Sequence, residues 1–301
     1  MSKAMGFAKE LGGEFKKDNA TTLAAAQAYY YLLAIVPLLI LLLSILPYLQ
    51  INPDRAVEFI GTILPGEMAT TFQDTIVSVV TTPSGGLLTF GILGTLWSAS
   101  NALTAFINAT NQAYGIEETR SFIKLKATAI GLTLGMLVAV IIALVLPIFG
   151  GTIINIIKSS LNLPEQTEII FQVLRWVISV AVMSIVLALM YKFAPDKQFP
   201  FKEVIVGAVI ATVLWQVVSF GFSIYVANFS SYSATYGSLG GLIVLMLWFF
   251  LTGLILVIGA EINAILHRRR NAKKETSSDA LAQSEANQKE AKNTESSMNK
   301  Y

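Results

Sequence analysis

The 301-residue sequence contains no cysteine and one histidine, His267. Without cysteine there can be no disulfide, thiolate zinc site, iron–sulfur cluster or cysteine nucleophile. Hydrolytic metal centres usually gather several histidine and carboxylate ligands, and one imidazole does not supply them. Charge is the second shortage. The chain is 13% charged and 54% hydrophobic, where a soluble domain carries about 25% charged residues. With a mean hydropathy of +0.63, much of the surface must face something other than water. Phosphate loops, dinucleotide-binding glycine fingerprints, HExxH and serine-elbow motifs are missing too. The sequence therefore reads as a non-enzyme with no cofactor, no metal and no nucleic-acid partner.

What is present is long apolar runs. A helix needs about 20 apolar residues to cross a hydrocarbon core about 30 Å thick. Six stretches qualify, at about 24–49, 87–111, 125–149, 169–193, 204–227 and 239–266. The expected fold is all-α: a polytopic bundle of six transmembrane helices over 24–266. Basic residues are strongly sided. Lys3, Lys9, Lys16 and Lys17 precede the first span; Arg120, Lys124 and Lys126 follow the second; Lys192, Lys197 and Lys202 follow the fourth; Arg268, Arg269, Arg270, Lys273 and Lys274 open the tail. The opposite loops hold Arg55 and Lys158. Since Lys and Arg stay on the cytoplasmic side during insertion, both termini are expected there. The first run is too long for a signal peptide, and its small residues (Ala24, Ala25, Ala26, Ala28) precede the apolar block. It reads as a retained span.

Outside the spans, residues 1–23 form a basic segment in which Phe7, Leu11 and Phe15 recur every four residues. That spacing suits an amphipathic helix on an anionic leaflet; a solvated basic tail that merely sets topology is the alternative. The first outer loop, about 50–86, carries Phe59, Ile63, Phe72, Ile76 and Val80 around Pro65 and Gly66. This pattern predicts two short amphipathic helices. The tail, 267–301, is rich in Lys, Glu, Ser, Asn and Gln, and is expected to be disordered and cytoplasmic because it has too little apolar surface to offset ordering entropy.

Polar groups at membrane depth are costly and often mark function. Ser98, Asn101, Thr104, Asn108 and Asn111 follow steps of three, three, four and three, which places them on one face of the second span. That face can line a polar pathway, or it can join helices by hydrogen bonds worth about 0.6 kcal/mol each. Glu261 is an acid well inside the sixth run. It can carry a proton or cation, or pair with Arg120, Lys124 or Lys126 from the same side. Arg175 is explained by snorkelling to headgroups, with pairing to an outer-loop acid as the alternative. Gly131 and Gly135, Gly91 and Gly94, and Gly253 and Gly259 mark close helix contacts; Pro37 and Pro147 are candidate bends.

Several of these segments together resemble the YihY/BrkB family of bacterial integral membrane proteins. The resemblance covers about residues 20–266. It rests on Ala24-Ala25-Ala26-Gln27-Ala28-Tyr29-Tyr30 leading to Pro37, on Leu96-Trp97-Ser98-Ala99-Ser100, and on Asn108 with Asn111-Gln112-Ala113-Tyr114-Gly115-Ile116-Glu117-Glu118-Thr119-Arg120. Tyr236-Gly237-Ser238-Leu239-Gly240 and Gly259-Ala260-Glu261-Ile262-Asn263-Ala264 complete it. The sequence departs at Ser121, where relatives often carry proline, so the geometry of that loop is left open. The resemblance implies a six-span protein of the cytoplasmic membrane that transports a substrate or handles envelope lipid. Membrane lipids are the expected partners, with a small-molecule, ion or lipid substrate and a second copy of the chain both permitted. A non-transporting scaffold is the alternative. Family members have carried a ribonuclease BN label, but this sequence has no HxHxDH-type metal cluster to support it.

Overall fold

The computed structural model describes residues 3–45, 48, 84–137, 168–227 and 238–298. Among them are seven helices and no strand. In chain order these are α1 (Lys3–Lys17), α2 (Ala20–Ile45), α3 (Gly85–Tyr114), α4 (122–137), α5 (Glu168–Phe193), α6 (Phe201–Ala227) and α7 (Ser238–Met298). Five of them, α2, α3, α5, α6 and α7, are long and apolar enough to cross a membrane. The described part of α4 is shorter. The rest of the expected third span (138–149, with Pro147), the short helices expected around Pro65 and Gly66, and the loop 228–237 lie outside the described residues. So does the side chain of Arg175.

Local chemistry sets the boundaries. Asn19 adopts a left-handed backbone, φ 49°, a conformation Asn tolerates better than most residues, and this breaks α1 from α2. α3 begins at Ser84, whose hydroxyl accepts from the Leu87 N–H at 3.3 Å. It ends at Gly115, φ 66°, where the Gly115 N–H meets Gln112 O at 3.0 Å and the Ile116 N–H meets Asn111 O at 2.9 Å. This double closure satisfies carbonyls that the last turn would leave open. Ser121, the position of the departure from the family pattern, accepts from the Leu125 N–H at 2.9 Å through its backbone carbonyl and opens α4 without a proline.

Close helix crossings fall where side chains are missing. A Cβ on Gly91 would lie 2.8 Å from Leu41 Cα, and one on Gly94 would lie 3.1 Å from Pro37 Cβ, so α2 and α3 pack almost backbone to backbone. Gly253 faces Ala24 O at 2.9 Å from the same built position, and Gly207 meets Gly259 and Asn263 directly. Gly131 and Gly135 differ: nothing among the described residues lies within 4 Å of either. The spacing that looked like a packing motif in the third span meets no described neighbour.

The core gathers Phe106 and Ile107 of α3, Tyr191 of α5, Val204 and Ala208 of α6, and Ala260 and Ala264 of α7. Outside it, large apolar side chains stand bare, with Val36 62% and Phe220 71% exposed. In water such a surface would aggregate; against hydrocarbon it costs nothing. The tail departs from expectation. In place of disorder, α7 continues as helix to Met298, because no glycine or proline follows Gly259 and Ala, Glu, Lys and Gln are good helix formers.

Candidate functional site

At one end of the bundle the α1–α2 turn meets the end of α3, where Gln112 donates to the Asp18 carbonyl at 2.8 Å, and the start of the tail meets Ala113 through Arg268 and the loop 194–200 through the ring of His267 against Phe199. Arg120 is the centre of this junction. It binds Glu118 at 2.6 and 2.7 Å, Asp196 at 3.1 Å and the Ala194 carbonyl at 2.9 Å. Asp196 in turn accepts from the Thr119 hydroxyl at 2.5 Å and its N–H at 3.2 Å. Hydrogen bonding by Arg120 holds the Glu118 carboxyl below its ordinary value, and the Thr119 hydroxyl does the same for Asp196. Asn111 completes the network: its amide donates to Glu118 at 2.8 Å while its carbonyl oxygen accepts from the Asp196 N–H at 2.9 Å. This buried amide locks two loops together. His267 is fixed as well, with Nδ1 2.6 Å from Glu203 and its ring edge-on to Phe199.

The rest of the predicted polar stripe is not gathered into one site. Ser98, Asn101 and Thr104 are half-buried, and Asn108 is exposed on the outside of the chain. The Thr104 hydroxyl donates to the Ser100 carbonyl of its own helix at 2.7 Å. Asn101 accepts from Lys126, whose ammonium also sits 5.0 Å over the Trp97 ring. Lys126 of α4 thus turns to α3. Glu261 is fully buried, yet neither of its carboxylate oxygens has a hydrogen-bond partner among the described residues: Arg120 is taken by Glu118 and Asp196, Lys126 by Asn101, and Lys124 is exposed. It lies instead beside Asp18 and Glu14. Sequence reasoning passed over these two acids, although their spacing of four, just before the first span, was readable.

Deeper in the bundle is a cavity of about 640 Å³, within the range of about 300–1,000 Å³ usual for small-molecule sites. Its walls come from α5 (Ser179, Val182, Met183, Val186), α6 (Ala211, Trp215, Gln216) and α7 (Trp248, Phe249, Thr252), with Tyr31 of α2 and Met136 of α4 closing the sides. The lining is overwhelmingly apolar. Its polar groups are the Tyr31 hydroxyl, which donates to Gln27 at 3.3 Å, Ser179, Gln216 and Thr252. None of the stripe residues, and not Glu261, lines it. Trp215 and Trp248, ring centroids 5.7 Å apart, are parts of this site that sequence reasoning missed. The signal available was aromatic residues on two spans, which core packing produces equally often.

An all-helical bundle with several lipid-facing spans and an apolar cavity defines a multi-pass membrane protein. The chain belongs to the family described as virulence factor BrkB, whose profile matches residues 11–284. Among its relatives is YfkH of Bacillus subtilis (strain 168), described as ribonuclease-like and 38% identical over 88% of this chain and 97% of that one. The UPF0761 membrane protein VV0203 of Vibrio vulnificus (strain YJ016) is 38% identical over 33% of this chain and 32% of its own length. The UPF0761 membrane protein PBPRA3489 of Photobacterium profundum is 28% identical over 68% and 61%. No solved structure matches the chain.

Proposed function

We propose that this protein is a six-span protein of the bacterial cytoplasmic membrane, with both termini cytoplasmic, that takes a lipid or similarly apolar molecule into the cavity between α5, α6 and α7 and moves it. The cavity carries this reading: a site so apolar, at the depth of the spans, favours hydrocarbon, and its few hydroxyl and amide groups suit one polar end. The orientation is supported by basic residues from α1, from the loops at 120 and 197, and from the start of the tail, all at one end. Covalent chemistry has no part in this reading. The lone imidazole is engaged by Glu203, and the ribonuclease-like description of YfkH finds no metal-binding histidine cluster in this sequence.

The test is reconstitution of the full chain in liposomes with a head-labelled fluorescent phospholipid, reading its exchange between leaflets. Val186→Trp, which fills the cavity from a half-buried position, should cut exchange at least about tenfold, a loss of about 1.4 kcal/mol in transition-state terms. Exchange unchanged by Val186→Trp, in protein that still melts cooperatively, removes the cavity from the pathway. A second reading, a scaffold that binds partners through the tail, has one observation in its favour: α7 runs 61 residues, about 90 Å, far more than a bilayer needs. A stable partner complex that is lost on removing 272–298, with no lipid exchange, would select it.

A further inference from the structure

Glu14 of α1, Asp18 of the α1–α2 turn and Glu261 of α7 place one carboxylate oxygen each within 4.8 Å of one another. An acidic cluster on a surface would mean little. Here Glu261 is 0% exposed and Asp18 7%, and both Glu261 oxygens and Asp18 Oδ2 find no hydrogen-bond donor among the described residues. Buried carboxylates without donors are strongly destabilising unless a positive charge joins them. The neighbouring cations are already committed. Arg268 holds Glu14 at 3.2 Å and the Ala113 carbonyl at 3.2 Å, and Lys17 holds the same Glu14 oxygen at 3.1 Å. Gln112 donates to the backbone oxygen of Asp18, not to its carboxylate.

We propose that Glu14, Asp18 and Glu261 form a binding site for a hard divalent cation, of the magnesium or calcium class, that clamps α1 and the start of α2 onto α7. An all-oxygen donor set with neither histidine nor cysteine selects such ions. The spacing fits: ligands about 2.4 Å from a calcium-sized ion stand up to about 4.8 Å apart across it. Charge also closes. Three carboxylates against one divalent ion and Arg268 sum to zero, with the Lys17 side chain, 69% exposed, left to solvent screening. A single shared proton would join Glu261 to Asp18 and leave a net negative charge on the buried group. The site is independent of the cavity, since none of its three residues lines it.

The test uses the full-length protein in detergent, stripped with a chelator, then given magnesium, calcium or sodium chloride at matched ionic strength. Its melting temperature is followed by tryptophan fluorescence, and trypsin cleavage in α1 is followed alongside. At about 100 times the dissociation constant, a divalent ion should raise the melting temperature by roughly 5–10 °C and slow cleavage, with sodium inert. Glu261→Gln and Asp18→Asn should each abolish the shift. If those variants fail to fold, Glu14→Gln at the half-buried position should weaken apparent affinity at least about tenfold. No divalent-dependent shift in the wild-type chain, or a full shift surviving in these variants, overturns the proposal. So does a chelated wild-type chain stabilised as much by moving from about pH 8 to about pH 6 as by the ion, since the carboxylates would then be sharing a proton.

Discussion

The chain offers two glycine sites that look alike in sequence and differ in space, and substituting alanine at each gives opposite expected results. At Gly91 a new Cβ lies 2.8 Å from Leu41 Cα and 2.9 Å from its nitrogen. Both are backbone atoms and cannot rotate away. Carbon atoms rest at about 3.5–4.0 Å, so α2 and α3 must separate by roughly 0.7 Å along their whole crossing. Overpacking of this kind costs about 1–3 kcal/mol, against which the better helix propensity of alanine contributes about 0.5–1 kcal/mol. The net expectation for Gly91→Ala is about 1–2 kcal/mol of destabilisation. At Gly131, exposed on α4 with no described atom within 4 Å, the propensity stands unopposed, and Gly131→Ala should gain about 0.5–1 kcal/mol. Equilibrium unfolding in mixed detergent micelles, followed by tryptophan fluorescence, resolves a difference of roughly 1.5–3 kcal/mol between the two. Equal shifts for both alanines would refute the claim that α2 and α3 touch through missing side chains.

Three further outcomes are expected. Arg120→Gln should lower the melting temperature by several degrees and flatten its dependence on acid: the Glu118 carboxyl, held low by Arg120, contributes stability that is full above its ordinary value of 4.5 and is lost as pH falls through the lower folded-state value. An unchanged acid slope would show that Arg120 does not govern Glu118. Tyr191→Phe removes a buried hydroxyl that donates to Leu256 O at 2.8 Å and should cost about 1 kcal/mol. Because the same hydroxyl abuts Gly259, Gly259→Ala should be less damaging in the Tyr191→Phe background, and additive effects in a double-mutant cycle would contradict that contact. Truncation after Asn271 should reduce the far-ultraviolet helical signal while leaving the unfolding midpoint of the bundle within experimental error; no loss of helical signal would return the tail to disorder.

Five of the six expected spans were legible among the described residues, because hydrocarbon imposes a length and a composition, and both are written residue by residue. The N-terminal helix was legible for a similar reason, in the repeat of Phe7, Leu11 and Phe15. The tail was expected to be disordered because composition was weighed as if the segment had to fold alone, whereas α7 continues through it from a helix already nucleated in the spans, where each added residue costs little. The polar stripe shows the other limit. Steps of three and four place Ser98 to Asn111 on one face, but not what that face meets: Asn111 joins loops near residues 118 and 196, while Asn108 points outward. Glu261 was visible as an acid within the sixth run, but the two acids beside it come from α1 and the α1–α2 turn, more than 240 positions away in the chain, a distance that no local pattern spans.

The junction and the cavity divide the bundle between two kinds of interaction, and the division follows from where water can reach. At the end carrying α1 and the basic loops, Arg120, Glu118, Asp196 and Asn111 hold the loops by charged hydrogen bonds, while Arg268 and Arg269 tie the tail to Glu14 and Glu10. Such bonds are directional and leave little freedom. Farther in, helices that touch through Gly91 and through Gly207 with Gly259 form close pairs, whereas α5 meets α6 and α7 across Val186, Trp215 and Trp248 and leaves about 640 Å³ between them. The unbranched side chains of Met136, Met183 and Met190, which also line that space, can repack at low cost, and backbone crossings without side chains cannot. One set of helices thus supplies a fixed frame at one end and an apolar chamber within it, the arrangement on which the proposed uptake of a lipid-like molecule rests.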